Sequence, residues 1–250
     1  MIEKLDLEYK KGLFLDLFLP ESEEFDLFVY FHGGGLVNGD RKGKEIFAKP
    51  LADRNIATAS VDYSMYPNAK FPDFIVDCAD SIAWLKNNIS AYGKCKRIFV
   101  GGSSAGGYLS MMLCFDDKYL VNAGLKPSDV DGYIHDAGQP TAHFNVLKEF
   151  GFDSRRVVVD ETAPLYYIGL KEEYSPMLFI VSDNDMFARY EQTMLTIKTL
   201  EHFGHKDNVF LEIMHGEHTS YVLKTDEKGE SIFCNVVTKF IDNISKKIKR

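Results

Sequence analysis

Little in this chain ties it to a membrane, a nucleic acid, a metal or an oxidising compartment. No stretch of its 250 residues approaches the roughly 20 consecutive apolar residues that a membrane span needs. The opening Met1-Ile2-Glu3-Lys4-Leu5-Asp6 lacks the apolar core of a secretory signal. Positive charge is in deficit: 29 Lys and Arg against 37 Asp and Glu leave a formal charge of −8. Such a surface repels phosphate backbones, which excludes nucleic acid as an expected partner. The basic cluster Lys246-Lys247-Ile248-Lys249-Arg250 reads as the solvated end of a last helix, where positive charge suits the dipole. Four cysteines (Cys78, Cys95, Cys114, Cys234) share no C-x-x-C spacing, so neither a disulfide framework nor a zinc site is expected. Reduced thiols in a cytoplasmic protein fit that pattern. No linker, internal repeat or low-complexity tract divides the chain, and its apolar content suffices for one large core. One domain over residues 1–250 is expected.

What the chain does have is an alternation of strand-like and helix-like segments. Leu5 to Tyr9 and Leu13 to Leu19 flank Lys10-Lys11-Gly12 and read as an antiparallel hairpin at a sheet edge. Nearly continuous apolar runs at 25–31, 56–61, 97–100, 130–134, 177–181 and 209–214 read as strands, most of them covered on both faces. Helices are predicted between them at 44–54, 75–89, 108–114 and 188–203, with 231–246 last. Gly204 stands where a left-handed helix cap is common. This order implies an α/β fold: a mostly parallel central sheet with helices on both faces. In such sheets ligands bind at the carboxyl ends of the strands. Four loops there carry unusual chemistry, beginning at His32, Ser103, Ser182 and His215.

Gly102-Ser103-Ser104-Ala105-Gly106 follows a strand and precedes a helix. A strand that turns sharply into a helix needs small neighbours, and the turn lifts one serine hydroxyl above the sheet. A serine alcohol is a poor nucleophile at neutral pH and needs a base. Of seven histidines, His218 is the first choice, in the small-residue loop Gly216-Glu217-His218-Thr219-Ser220; His215 is the alternative. A carboxylate must orient the base. Val181-Ser182-Asp183-Asn184-Asp185 offers Asp185 first and Asp183 second. The oxyanion needs backbone amides, expected from Ala105 and from Gly34 and Gly35 in His32-Gly33-Gly34-Gly35, where glycine lets main chain approach a substrate. His32 itself reads as a hydrogen-bonder that holds the loop. That loop lacks the Lys-Ser/Thr ending of a phosphate-binding turn.

Taken together, these features resemble the α/β-hydrolase superfamily, in its esterase/lipase branch similar to hormone-sensitive lipase and small carbohydrate (acetyl or feruloyl) esterases. The resemblance rests on the His-Gly-Gly-Gly loop, Asp62-Tyr63 with Tyr66-Pro67 and Phe71-Pro72, the serine motif, Asp185 and His218. It implies carboxylester hydrolysis through an acyl-serine, with no cofactor and no metal. Ser104 is then nucleophile, Asp185 acid and His218 base, with oxyanion donors at Gly34, Gly35 and Ala105. Ser182 stands where the family usually has Gly, and the final loop is a residue tighter than the family's. The short N-terminal lead implies a reduced or absent cap, so any lid has to come from the insertion 139–174, with Phe144, Phe150, Phe152, Tyr166 and Tyr167. The expected partners are a small-molecule or carbohydrate ester and, at most, a second copy in a homodimer. Amide hydrolysis on the same fold is the rival activity, and a non-catalytic binding protein the rival class.

Overall fold

A computed structural model describes residues 1–248. Lys249 and Arg250, the end of the basic cluster, lie outside the described residues. In chain order the elements are β1 (Ile2–Lys10), β2 (Leu13–Leu19), β3 (Glu24–Phe31), α1 (Glu45–Ala52), β4 (Ile56–Val61) and α2 (Asp73–Asn88). Next come β5 (Lys94–Ser103), α3 (Ala105–Phe115), α4 (Lys118–Asn122), β6 (Gly132–Asp136) and α5 (Phe144–Glu149). The chain continues through β7 (Met177–Asn184), α6 (Arg189–His202), β8 (Val209–Glu217) and α7 (Ile232–Ile248). Among the described residues no helix is long and apolar enough to cross a membrane.

The eight strands form one sheet in the order β1-β2-β4-β3-β5-β6-β7-β8. The β1/β2 and β2/β4 pairs are antiparallel, and from β4 to β8 every neighbour is parallel. Side chains alternate across each strand, so β3 feeds two cores at once. Leu27, Val29 and Phe31 pack with α2, α3 and α6. Phe28 and Tyr30 pack on the opposite face with Phe47 and Leu51 of α1 and Phe233 and Val237 of α7. Burial on both faces is why this strand reads as a continuous apolar run. Its carboxyl end lies beside that of β5, where Phe31 is opposite Gly102. That adjacency brings the glycine loop alongside the serine turn.

Several boundaries differ from the sequence expectation. β5 begins at Lys94, because Glu24 and Phe25 of β3 already pair with Lys94 and Cys95. β6 sits two residues later than its apolar run suggests. β7 extends through the aspartate segment to Asn184, and β8 through His215 to Glu217, because the ladder persists to Ser182↔Met214 and Asn184↔Glu217. Pairing overrides the turn preference of Asp and Asn there. Two short helices, α4 and α5, were not anticipated; they are too short for the 3.6-residue period to register.

Candidate active site

Ser104 occupies the corner between β5 and α3 at φ 57° and ψ −110°, a conformation that costs about 1–3 kcal/mol and needs support from its surroundings. Its amide donates to the Asp136 carbonyl at 2.8 Å, and its own carbonyl accepts from Tyr108 N at 3.0 Å. The flanking glycines are required by space. A Cβ on Gly102 would stand 2.3 Å from the Phe31 carbonyl oxygen, and one on Gly106 1.9 Å from the same atom. The G-x-S-x-G frame is therefore a packing solution that presses the turn against the end of β3.

Two loops bring partners to Ser104. The Ser104 hydroxyl donates to His218 Nε2 at 2.8 Å, in the tautomer whose Nδ1–H donates to Asp185 Oδ1 at 2.5 Å. The His218 side chain is 20% exposed and that of Asp185 is fully enclosed. Asp185 also accepts from the amides of Ser182 (3.1 Å) and Met186 (2.7 Å). Burial pushes its carboxyl up, but the His218 bond and charge and the two amides outweigh this and hold it below the ordinary carboxylate range. His215 and Asp183 form their own bond at 2.6 Å in the open, with the His215 side chain 97% exposed. The structure thus joins Ser104, His218 and Asp185 and leaves His215 and Asp183 outside. Ser182 donates its hydroxyl to the Glu217 carbonyl at 2.9 Å and braces the base of the His218 loop.

The glycine loop closes the other side. The His32 ring stacks on Tyr63 with centroids 4.4 Å apart, and its Nδ1–H donates to the Gly33 carbonyl at 2.7 Å. The Tyr63 hydroxyl donates to the His32 carbonyl at 2.8 Å. Burial pushes the His32 imidazole below its ordinary pKa, which suits a neutral holder of the loop. Gly34 adopts φ +114°, and a Cβ there would stand 1.9 Å from the Asn38 carbonyl oxygen. The Gly34 carbonyl accepts from Val37 and Asn38, so the loop turns tightly back on itself. Among the described residues the amides of Gly34, Gly35 and Ala105 have no protein acceptor. Gly34 and Gly35 line the same cleft as Ser104, and Ala105 follows it at the start of α3.

Sequence reasoning missed the residues that hold this loop. The Asn145 side-chain amide of α5 donates to the Gly35 carbonyl at 2.5 Å. Arg41 is buried at the loop's far end; it donates to Asp16 at 2.9 Å and also pairs with Asp62 and Asp6. A buried arginine among three carboxylates is a long-range contact, and only the three-dimensional fold reveals it.

The cleft over Ser104 has a volume of about 570 Å3; Val37, Phe144, Met186 and Leu223 supply apolar walls. Of the aromatics in 139–174, Phe144 reaches it. Phe150 packs edge-on against Phe71, Arg156 covers Phe152, and Tyr167 donates to the Glu161 carbonyl at 2.8 Å while its ring meets Tyr166. These four serve local packing.

The chain is similar to several known proteins. A family model described as BD-FAE matches residues 15–149, more than half of the chain. A probable isoprenylcysteine alpha-carbonyl methylesterase (ICMEL2) of Arabidopsis thaliana is 32% identical over 113 residues, 44% of this chain and 27% of that protein. The hormone-sensitive lipase of Ictidomys tridecemlineatus is 36% identical over 90 residues, 35% of this chain and 12% of that protein. The chain spans about a quarter or less of these relatives' length. A solved structure described as a truncated form of a carbohydrate esterase from gut microbiota superposes with a TM-score of 0.78 at 17% identity, covering 98% of this chain and 97% of the other. At that identity the likeness shows a shared fold.

Proposed function

The chain belongs to the BD-FAE family, and from that premise we propose that it is a serine carboxylesterase hydrolysing short- to medium-chain acyl esters. The observation that carries this reading is the unbroken relay from the Ser104 hydroxyl through His218 to Asp185. In this reading His218 Nε2 takes the Ser104 proton as the oxygen attacks the ester carbonyl. The tetrahedral oxyanion rests on the amides of Gly34, Gly35 and Ala105, where each donor is worth about 3–4 kcal/mol of barrier. Asp185 holds the imidazole in the required tautomer and stabilises its charged form. His218 then gives its proton to the departing alcohol, leaving an acyl-serine. Water repeats the cycle, losing its proton to His218, and the acid departs. With p-nitrophenyl acetate, Ser104→Ala should lose turnover by a factor of about 10⁴ or more. Full turnover in that variant would refute the assignment.

A second observation favours sugar esters as substrates. The catalytic cleft shares Val37 and Asn145 with an adjoining groove of about 420 Å3, lined further by Tyr66, Pro67, Lys70 and Glu149. A bulky alcohol could extend along that polar and aromatic surface, and the similar carbohydrate esterase structure fits the same reading. Acetyl release from acetylated xylan should exceed release from a long-chain triglyceride; the reverse order would reject it. The four cysteines stand free, which supports a reducing, cytoplasmic setting.

A further inference from the structure

Beneath the serine lies a buried polar chain that the relay does not use. The Tyr30 hydroxyl of β3 donates to Ser103 Oγ at 3.1 Å, and Ser103 donates to Asp136 Oδ2 at 2.5 Å. The Tyr221 hydroxyl donates to Asp136 Oδ1. All four side chains are buried, and Asp136 has no accessible surface. The Asp136 main chain also accepts from the Ser104 amide. Tyr221 lies three positions after His218. Tight turns with Ser220 N to Glu217 O and Val222 N to Thr219 O, both 3.1 Å, link the two rigidly.

We propose that Asp136 is a positioning residue that anchors both partners of the serine–histidine pair. Its carbonyl and Ser103 hold the turn that presents Ser104, while Tyr221 ties down the loop that presents His218. The inference rests on the esterase reading and names a residue which that reading does not require. The geometry makes one residue join the two loops that present groups 114 positions apart in the chain. A carboxylate suits the task because it accepts two hydrogen bonds on separate oxygens and donates none. The groups facing it are Tyr30, Tyr221, His218 and Asp185. Burial is the largest influence on the Asp136 carboxyl and, with the Asp185 charge, outweighs the Ser103 and Tyr221 bonds and the His218 charge, so that the group is raised to about 6.

The test uses the full chain and p-nitrophenyl acetate, with kcat normalised to serines that an endpoint fluorophosphonate titration finds intact. Tyr221→Phe deletes one hydroxyl and should lower kcat per labelled site about 10- to 100-fold with KM within about 3-fold, because a small misplacement of reacting atoms costs that much. Asp136→Asn should lose at least as much. The double variant should be no worse than Asp136→Asn alone, because both losses pass through one carboxylate. If Asp136→Asn fails to fold, Ser103→Ala, Tyr221→Phe and their combination carry the same test. A purely structural role would reduce the folded, labelled fraction and leave kcat per labelled site unchanged, and that result overturns the inference. Losses that simply multiply in the double variant overturn it too. If the unaltered protein neither hydrolyses the ester nor labels, the esterase reading fails; if it does both and the variants match it, only the Asp136 inference fails.

Discussion

Two histidine–aspartate pairs stand at the ends of β7 and β8 with nearly equal bonds, 2.5 Å for His218–Asp185 and 2.6 Å for His215–Asp183. Their surroundings differ. The Asp185 carboxylate is enclosed and receives two amides besides the imidazole; that of Asp183 is 43% exposed, and its histidine is in open water. Water and salt screen the outer pair, whose coupling is worth little. The inner pair is held by the Ser182 and Met186 amides on Asp185 and by the Ser104 hydroxyl on His218. A short bond between acid and base is therefore not what marks a functional pair. What marks it is enclosure together with a third group, Ser104, within reach.

The widest separation between the pairs should appear in turnover. His218→Ala should reduce kcat for p-nitrophenyl acetate by a factor of about 10⁴ or more. His215→Ala should stay within about 2-fold, as a surface change away from the chemistry. Equal losses in both would break the comparison. Next in size, Asp185→Asn should cost about 10² to 10⁴ in kcat, through loss of the required tautomer. Asp183→Asn should leave steady-state kinetics near those of the unaltered chain.

The sequence names both pairs and ranks His218 and Asp185 first, and the reason it leaves His215 and Asp183 open as alternatives is physical. The aspartates and histidines lie near strand ends that look like loops in a one-dimensional reading. Whether each strand continues depends on its partner, and the pairing Ser182↔Met214 is a contact between distant positions. His215 therefore lies in an edge strand with an exposed face, while His218 is the first such residue past its end. Features carried by local chemistry were legible. The β4 boundaries match the apolar run Ile56–Val61, and the small residues flanking Ser104 mark its turn in the chain. Features carried by convergence were not. Nothing adjacent to Asp136 in the chain points to Ser103 or Tyr221, and nothing near Arg41 points to Asp16.

Enclosure has a further consequence that sharpens the contrast. Burial pushes His135 to about 3, and burial with the charges of Arg189 and Lys148 pushes His143 to about 3. Between those values and 6.5 the unfolded chain binds two protons that the folded chain refuses. Stability is thus complete above about pH 6.5 and falls as the pH drops. Asp136 acts in the opposite sense. Raised from 3.8 to about 6, it makes the folded chain bind the extra proton within that interval. At about pH 4.5 the two histidines outweigh Asp136, so the folded chain should be less stable there than at about pH 7. Urea unfolding at the two pH values would measure it. Stability that did not decrease would show that these imidazoles accept protons in place.

The smallest effect belongs to the outer pair. The Asp183 hydrogen bond and charge raise His215 above its ordinary pKa, while the Gly216 amide and the His215 bond hold Asp183 below its own. For a raised histidine, any stabilisation is present while the ring is charged and disappears as the pH rises through the folded value. Because this ring lies in water, the thermal midpoint should barely register it. The titration itself is the sensitive probe. In an NMR titration the His215 ring should move down towards the ordinary value on Asp183→Asn, and in the unaltered chain on adding molar salt, as screening weakens an exposed pair. The same salt should leave ester turnover, which the proposed mechanism assigns to the enclosed pair, much less affected. A His215 titration that ignored both salt and Asp183→Asn would mean that the outer pair is held by more than its visible contacts, and the contrast with the enclosed pair would narrow.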